Sequence, residues 1–305
     1  MKSTKTTLVG LGLSLFLVML IFSACKKDTA GSSGAQHLSL YLTDDPAPIV
    51  FDSVLIDIQR VEVKLDSSEE HENDDDFGDN DHDGDDDHQD NDAFGYWVDL
   101  SMTPGLYNVS ALRNGVDALL ASGTIQGDVR KIRVSLGAGS VVYVGGVAHT
   151  LSLAPGVDNY LYVKIHDEDE QGGDNENDGD NENEEDDTPV NIWLDFDLGR
   201  SITLDGGQYY LTPVVKPFCD ENSGSVEGKV RPVDAKALIT IFNATDTATA
   251  IPEYDDDGEY KIRGLNEGTY SITFKAFNGY KDTTVNNVVV LKGVETQVEP
   301  VTLYK

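Results

Sequence analysis

Positive charge and cysteine are what this chain has least of. Its 305 residues hold 22 Lys and Arg against 55 Asp and Glu, a formal net charge of −33. Binding a phosphate backbone depends on clustered Lys and Arg, and the sequence shows no such run, so nucleic acid is not an expected partner. Long apolar runs are missing too. The longest, Leu8 to Phe22, has 15 residues, too short to span about 30 Å of hydrocarbon comfortably. No segment outside it has convincing helical periodicity. Catalytic signatures are also absent: there is no Gly-x-Ser-x-Gly elbow, His-Glu-x-x-His pair, phosphate-binding Gly-x-x-x-x-Gly-Lys-Ser/Thr loop or dinucleotide Gly-x-Gly-x-x-Gly. Carboxylates are too abundant to single out a pair held at glycosidase separation. An enzyme is not expected.

Acid is what the chain has in excess, and it is concentrated. Asp66 to Asp92 holds 15 Asp and Glu and Asp167 to Asp187 holds 13, with no Lys or Arg in either. Outside these tracts 27 acids face 22 bases, so the body is nearly balanced and carries two anionic insertions.

The N-terminus gives an address. Lys2 and Lys5 precede the Leu8–Phe22 run, which reads as a signal peptide over residues 1–24. The run closes in Phe22-Ser23-Ala24-Cys25, which resembles a bacterial lipobox with Phe22 in place of the usual leucine. The resemblance implies lipidation of Cys25, a tether over 25–36 and an envelope location, most naturally the outer membrane. Three acyl chains exceed the two signals that stable anchoring requires. With Cys25 modified, Cys219 is left as a lone thiol and no internal disulfide is expected.

The body reads as strands. Leu38, Leu40 and Leu42 alternate with polar residues until the turn cluster Asp44-Asp45-Pro46. Val54, Ile56 and Ile58 share one parity and Val61, Val63 and Leu65 the other, so a bulge is expected near Arg60. Further strands are expected at Tyr96–Leu100, Leu106–Leu112, Val129–Leu136, Ser140–Val144, Val147–Leu153, Tyr160–His166, Val190–Asp197 and Tyr209–Val215, with Asn114-Gly115 as a two-residue hairpin turn. Short strands at this spacing predict an all-β fold of two β-sandwich domains in tandem.

Two resemblances sharpen this. Tyr41-Leu42-Thr43-Asp44-Asp45-Pro46-Ala47, Phe51-Asp52-Ser53-Val54, Leu119 to Gly123, Ile132-Arg133-Val134, Leu194 to Ser201 and Tyr210 to Lys216 resemble the bacterial lipoprotein family known as domain of unknown function 4382, over residues 37–218. It implies an exported all-β domain and no activity. After a polar boundary at Asp220 to Gly224, Gly228-Lys229-Val230, Asp257 to Leu265, Gly268 to Ile272 and Gly279-Tyr280 resemble the carboxypeptidase regulatory-like, transthyretin-type sandwich, over 223–304, within a second domain expected over 223–305. That resemblance implies an accessory module, not a peptidase. Independently of it, Tyr260 and Ile262 alternate inward and Tyr270, Ile272 and Phe274 resume the core face.

Two sets of candidate ligands follow. A calcium loop places oxygens at positions 1, 3, 5, 7, 9 and 12 with glycine at 6. Asp79, Asp81, Asp83, Asp85, Asp87 and Asp90 fit this spacing around Gly84, and Asp174, Glu176, Asp178, Asp180, Glu182 and Glu185 fit it around Gly179. Such composition equally suits a solvated polyanion, and His71, His82, His88 and His166 leave a transition metal open. The second set comes from strand parity. Trp97 and Asp99, and Trp193, Asp195 and Asp197, lie opposite the apolar residues of their strands, where an aromatic ring beside carboxylates suits a sugar. Packing against another sheet or between domains is the competing expectation. The sequence therefore points to a non-catalytic, lipid-anchored envelope protein that binds calcium weakly, or alternatively to a surface carbohydrate-binding or adhesion lipoprotein. Its expected partners are the membrane and a glycan or envelope protein.

Overall fold

The computed structural model describes residues 35–45, 51–65, 95–165, 190–254 and 257–305. Cys25, both acidic tracts and all twelve calcium candidates lie outside the described residues. The fold is all-β, with two separate apolar clusters.

The first sandwich contains β1 (Ala35–Asp45), β2 (Ser53–Leu65), β3 (Tyr96–Asp99), β4 (Ser101–Met102), β5 (Gly105–Asn108), β6 (Ala118–Gln126), β7 (Val129–Leu136), β8 (Val141–Val144), β9 (Val147–Leu153), β10 (Tyr160–Lys164), β11 (Val190–Asp197), β12 (Ile202–Asp205), β13 (Gln208–Leu211) and β14 (Val215–Phe218). One sheet runs β14-β11-β1-β6-β4; the other runs β10-β7-β2-β8-β9-β13-β12, with β3 and β5 also on β2. Alternation dictates the arrangement. Leu38, Leu40 and Leu42 of β1 lie in parallel register beside Val190, Ile192 and Leu194 of β11. With side chains repeating every second residue, both strands turn one apolar face inward, where Leu40, Ile192 and Leu194 are at most 1% exposed. Each such side chain contributes about 1.5–3 kcal/mol.

The long strand β2 organises the second sheet. It pairs with β8 and β7 along one edge and with β5 and β3 along the other. The parity change predicted near Arg60 is present as a register shift between Ile58 and Arg60, which keeps both apolar triplets in the core.

Three expectations need correcting. The Asn114-Gly115 turn forms, with φ of 55° and 82°, but it does not close a hairpin. The expected strand Leu106–Leu112 breaks into β5 and a 3-10 turn at Val109–Ala111, and β5 and β6 pair with β2 and β1 in different sheets. The dipeptide fixes the local turn, but a hairpin also needs its flanking runs hydrogen-bonded to each other. A one-turn helix, Leu198–Ser201, follows β11. Cys219 is buried, 6% exposed.

The second sandwich contains β15 (Gly224–Arg231), β16 (Leu238–Phe242), β17 (Thr247–Ala250), β18 (Glu259–Leu265), β19 (Gly268–Lys275), β20 (Thr283–Val290), β21 (Glu295–Gln297) and β22 (Val301–Thr302). Its sheets run β18-β15-β21, with β22 also on β15, and β17-β16-β19-β20. Tyr260, Ile262, Tyr270, Ile272 and Phe274 all face its core. Tyr260 reaches across β15 so closely that a Cβ on Gly228 would stand 2.6 Å from its hydroxyl oxygen, and that hydroxyl has no hydrogen-bond partner among the described residues. Burial accordingly drives its pKa up. An unpaired buried hydroxyl costs about 1–3 kcal/mol in desolvation. Tyr260→Phe is therefore expected to leave denaturant stability unchanged or to raise it by about 1 kcal/mol; a clear loss would reveal a partner for that oxygen.

Candidate functional site

Sequence parity placed Trp97 and Trp193 with their carboxylates opposite the core, and the structure does so, but on different sheets. They do not form one face. Each has a distinct environment.

Trp193 lies in a seam between the two sandwiches. Its cross-strand neighbours on β1 and β14 are Tyr41 and Phe218, and the three rings form a near-parallel row with centroids 5.2 Å and 5.8 Å apart. Arg263 of β18 lies over this row, its guanidinium 4.6 Å from the Trp193 centroid and 5.4 Å from that of Phe218. The same guanidinium donates to Asp117 at 3.1 Å and to both oxygens of Asp220 at 2.9 and 2.7 Å, while the Trp193 indole N–H donates to Asp117 at 2.8 Å. Only 12% of the arginine side chain is exposed. Both polar needs and the stacking surface of Trp193 are thus met from within the chain. Gly264, next to Arg263, has φ of 68°, and a Cβ there would sit 2.7 Å from the Phe218 ring. Only glycine allows that approach.

The seam continues on both sides. Asn114, in the turn that closes no hairpin, donates through Nδ2 to the Ile251 carbonyl at 2.8 Å and to Glu253 at 2.7 Å. Lys216 of β14 pairs with Asp246 at 2.9 Å, and both side chains are largely buried. Asp246 also accepts from the Tyr270 hydroxyl and the Asn266 backbone N–H. Burial alone would raise the Asp246 pKa; the Lys216 charge and these hydrogen bonds outweigh it and hold the group below its ordinary 3.8. Arg263 and Lys216 were not singled out from sequence. Their signal was available: each is a base on the outward parity of a strand in a chain poor in bases.

The remaining predicted carboxylates have structural partners as well. Asp197 caps the short helix, accepting from the Arg200 N–H at 2.8 Å and from its guanidinium at 2.5 Å. Asp195 helps line a narrow space in the seam with Thr43, Asn114, Phe218 and Arg263.

Trp97 lies on the outer face of the larger sheet, away from the seam residues. Register places three rows of side chains across β10, β7, β2 and β3: Tyr162, Arg133, Glu62 and Asp99; Lys164, Lys131, Lys64 and Trp97; and Tyr160, Ser135 and Arg60. Glu62, only 4% exposed at its side chain, accepts two bonds from Arg133 at 2.7 and 2.6 Å and lies 3.1 Å from Arg60. Arg60 in turn grips Asp99 through two bonds of 2.5 and 2.8 Å, and that hydrogen bonding pulls the Asp99 pKa down. The Arg133 guanidinium lies 4.3 Å over Trp97 and 5.6 Å over Tyr160. Trp97, Tyr162 and Tyr160 follow one another with centroids 6.3 and 6.5 Å apart; both tyrosines are about half exposed. Tyr160 and Tyr162 were covered by the expected strand Tyr160–His166, but their shared outward parity was not drawn on.

Among the described residues no three His, Cys, Asp or Glu side chains gather in metal-holding geometry.

The profile of one family, described as Domain of unknown function (DUF4382), matches residues 36–213. No curated protein sequence matches. Among solved structures, the chain overlaps the Bacillus anthracis TIE protein at 10% identity, with 89% of this chain and 34% of that one covered and a TM-score of 0.21. It overlaps the minor pilin GBS52 of Streptococcus agalactiae at 10% identity, covering 90% and 97%, with a TM-score of 0.21. For the shaft pilin SpaA of Lactobacillus rhamnosus GG the identity is 9%, the coverage 88% and 97% and the TM-score 0.22. The chain spans about a third of the first of these, and overlaps this loose do not establish a common fold.

The Asp246–Lys216 pair gives the seam a pH dependence with a definite sign. Because the folded-state pKa lies below the ordinary 3.8, the stabilisation is fully present above that value and is lost as pH falls from there through the folded pKa. Asp246→Asn is expected to cost about 1–3 kcal/mol at neutral pH, since it removes the negative charge that a largely buried lysine faces at 2.9 Å. Denaturant titrations of both proteins should show this gap closing only below about pH 4; a gap constant to pH 2 would remove the ion pair from the account.

Proposed function

We propose that this chain, which belongs to the family of domain of unknown function DUF4382, is a non-catalytic binding and structural protein of the bacterial cell envelope, held at the outer membrane by lipid on Cys25. The observation that carries this reading is that carboxylates of the body are bound to cationic side chains: Glu62 to Arg133, Asp99 to Arg60, Asp246 to Lys216, and Asp117 and Asp220 to Arg263. Asp99, Asp246 and Glu295 are all held below their ordinary values, chiefly through bonds to Arg60, to Lys216 against the opposing effect of burial, and to Lys261. Acid–base hydrolysis of a glycoside needs a carboxyl group pushed the other way, so that it keeps a proton near neutral pH. These three stay ionised and bind cationic side chains, which suits a scaffold. In this reading the second sandwich is an accessory module of the carboxypeptidase regulatory-like type, and the acidic tracts hold calcium weakly.

The alternative, a surface carbohydrate-binding or adhesion lipoprotein, is favoured by one specific feature. The Trp97, Tyr160 and Tyr162 face is aromatic, outward and mounted on strands, whereas Trp193 is taken up by the seam.

The anchor is tested by Cys25→Ala, which should abolish palmitate labelling and release the chain from the membrane fraction. Unchanged labelling and fractionation would defeat the lipoprotein reading. Lipidation would also leave Cys219 unable to bond within its own chain, so the lipidated form should migrate identically with and without reductant. The calcium reading is tested by isothermal titration of a fragment beginning at Gly31, at moderate salt to screen diffuse counterions. Saturable uptake of about two ions, lost on Asp79→Ala plus Asp174→Ala, is expected from two such loops. Heat that never saturates and disappears with salt would make the tracts solvated polyanions.

A further inference from the structure

We infer that Asn114 is a self-modification site: the Gly115 nitrogen attacks the asparagine side chain, ammonia leaves, and the carboxylate that replaces the amide releases this flank of the seam. The inference concerns the junction of the two sandwiches and stands apart from what the protein binds.

The turn supplies the chemistry. Attack on an asparagine side chain comes from the next backbone nitrogen, and a glycine there puts no Cβ in the way. The chain has two such dipeptides, Asn114-Gly115 and Asn278-Gly279, in turns of the same shape. Their φ angles are 55° and 82° in one and 54° and 81° in the other, and each turn closes with a hydrogen bond of 3.1 Å, from the Val116 N–H to Arg113 and from the Tyr280 N–H to Phe277. In the reaction the glycine nitrogen bonds to Cγ and gives up its proton, the Cγ–Nδ2 bond breaks, and Nδ2 departs as ammonia. Water then opens the five-membered imide to aspartate or isoaspartate. Nothing is oxidised or reduced. Gly115 lines an open cleft with Asp220, Ser223 and Lys261, so water reaches the ring.

What separates the two turns is the hold on the carboxamide. Asn278 is at the surface and donates to the Asp234 carbonyl at 2.6 Å. Asn114 is partly buried and donates to the Ile251 carbonyl at 2.8 Å and to Glu253 at 2.7 Å, while its Oδ1 faces the Lys261 N–H at 3.5 Å. These partners all belong to the second sandwich. Attack carries the carboxamide carbon toward the Gly115 nitrogen and makes it tetrahedral, which such bonds resist. The closed seam therefore holds the reaction back, and a seam that opens admits it.

The product does not fit the place the asparagine leaves. An ionised carboxylate has no hydrogen to donate, so both bonds are lost and its oxygens come to face the Glu253 carboxylate and the Ile251 carbonyl. The neighbouring cations are already engaged. Lys261, whose stem lies against Gly115, turns its ammonium to Glu227 and Glu295, and Arg113 faces Glu253 at 3.9 Å. Isoaspartate also adds a methylene to the main chain, which breaks the turn. Because ammonia is lost, the change is one-way: a seam loosened in this manner does not re-form.

The test holds the full chain in detergent micelles at mildly alkaline pH and follows Asn114 and Asn278 together by peptide mass mapping, with Asn278 as the internal reference. Asn278 is expected to convert severalfold faster than Asn114 in the wild type. Glu253→Ala, which takes away one acceptor, should speed conversion of Asn114 severalfold and leave Asn278 unchanged. Asn114→Asp, the product itself, should raise hydrogen exchange at 251–253 and 261–263 while β16 and β19 exchange as in the wild type. Asn114→Ser, which removes the two bonds without adding charge, should raise it less. An Asn114 that stays intact in the Glu253→Ala protein while Asn278 converts would overturn the site. Acceleration of both asparagines together would assign the effect to general loosening and overturn the gating by the seam. Wild-type exchange in Asn114→Asp would overturn the release.

Discussion

Arg263 carries a full positive charge into a seam where only 12% of its side chain meets water, and the placement of both sandwiches follows from how that charge is satisfied. Two carboxylates, Asp117 and Asp220, take its N–H groups, and two aromatic rings take its faces. Desolvating a guanidinium is expensive unless every such need is met. Here the needs are met from β11, β14, the loop before β6 and the linker at once, so moving one sandwich relative to the other would leave several groups unpaired together. The Lys216–Asp246 pair and the Asn114 bonds to residues 251 and 253 hold the same seam at other points. The junction is polar and directional, which fixes an orientation more tightly than an apolar contact of equal area would.

The same logic explains why one tryptophan is taken up in the seam and the other is left on an outer sheet face. Trp193 and Trp97 occupy equivalent positions in sequence terms, each on the polar parity of a strand after an acidic tract. What separates them is the neighbour in the next sheet position. Trp193 sits between Tyr41 and Phe218 with Arg263 supplied from the second sandwich, whereas Trp97 has Arg133 from its own sheet and half-exposed tyrosines beside it. Arginine stacking appears in both, but in the seam the guanidinium is consumed by two acids and covered. On the outer face it is held by a single buried glutamate and remains beside open aromatic surface.

Much of the architecture was legible because period-2 alternation is a direct image of which side faces the core. The triplets Leu38, Leu40, Leu42 and Val54, Ile56, Ile58, and the bulge near Arg60, needed nothing beyond local pattern. The Asn114-Gly115 turn was legible only in part: its backbone angles are local, but its partners are not, and the asparagine side chain is used against the second sandwich. Sheet membership was not legible at all, since β5 and β6 lie near each other in sequence and in different sheets. Trp97 on β3 and Trp193 on β11 lie in different sheets for the same reason. The Arg263 clamp and the Glu62 pocket share the same difficulty. Each joins residues dozens of positions apart, so parity could say that Arg263, Glu62 and Arg133 point outward but not what they point at.

The distribution of charge ties these points together. The tracts hold 28 of the 55 acids, and the described strands that bound the first of them end on paired residues, Leu65 opposite Tyr96. Outside the tracts 27 acids face 22 bases, which is close to neutral and limits the self-repulsion that destabilises compact states of high net charge. The bases left in the body are then few enough to be placed individually. Arg263 and Lys216 close the seam, and Arg60 and Arg133 are fixed around Glu62. On the outer face a buried carboxylate thus holds Arg133 and Arg60 in place, as two carboxylates hold Arg263 in the seam.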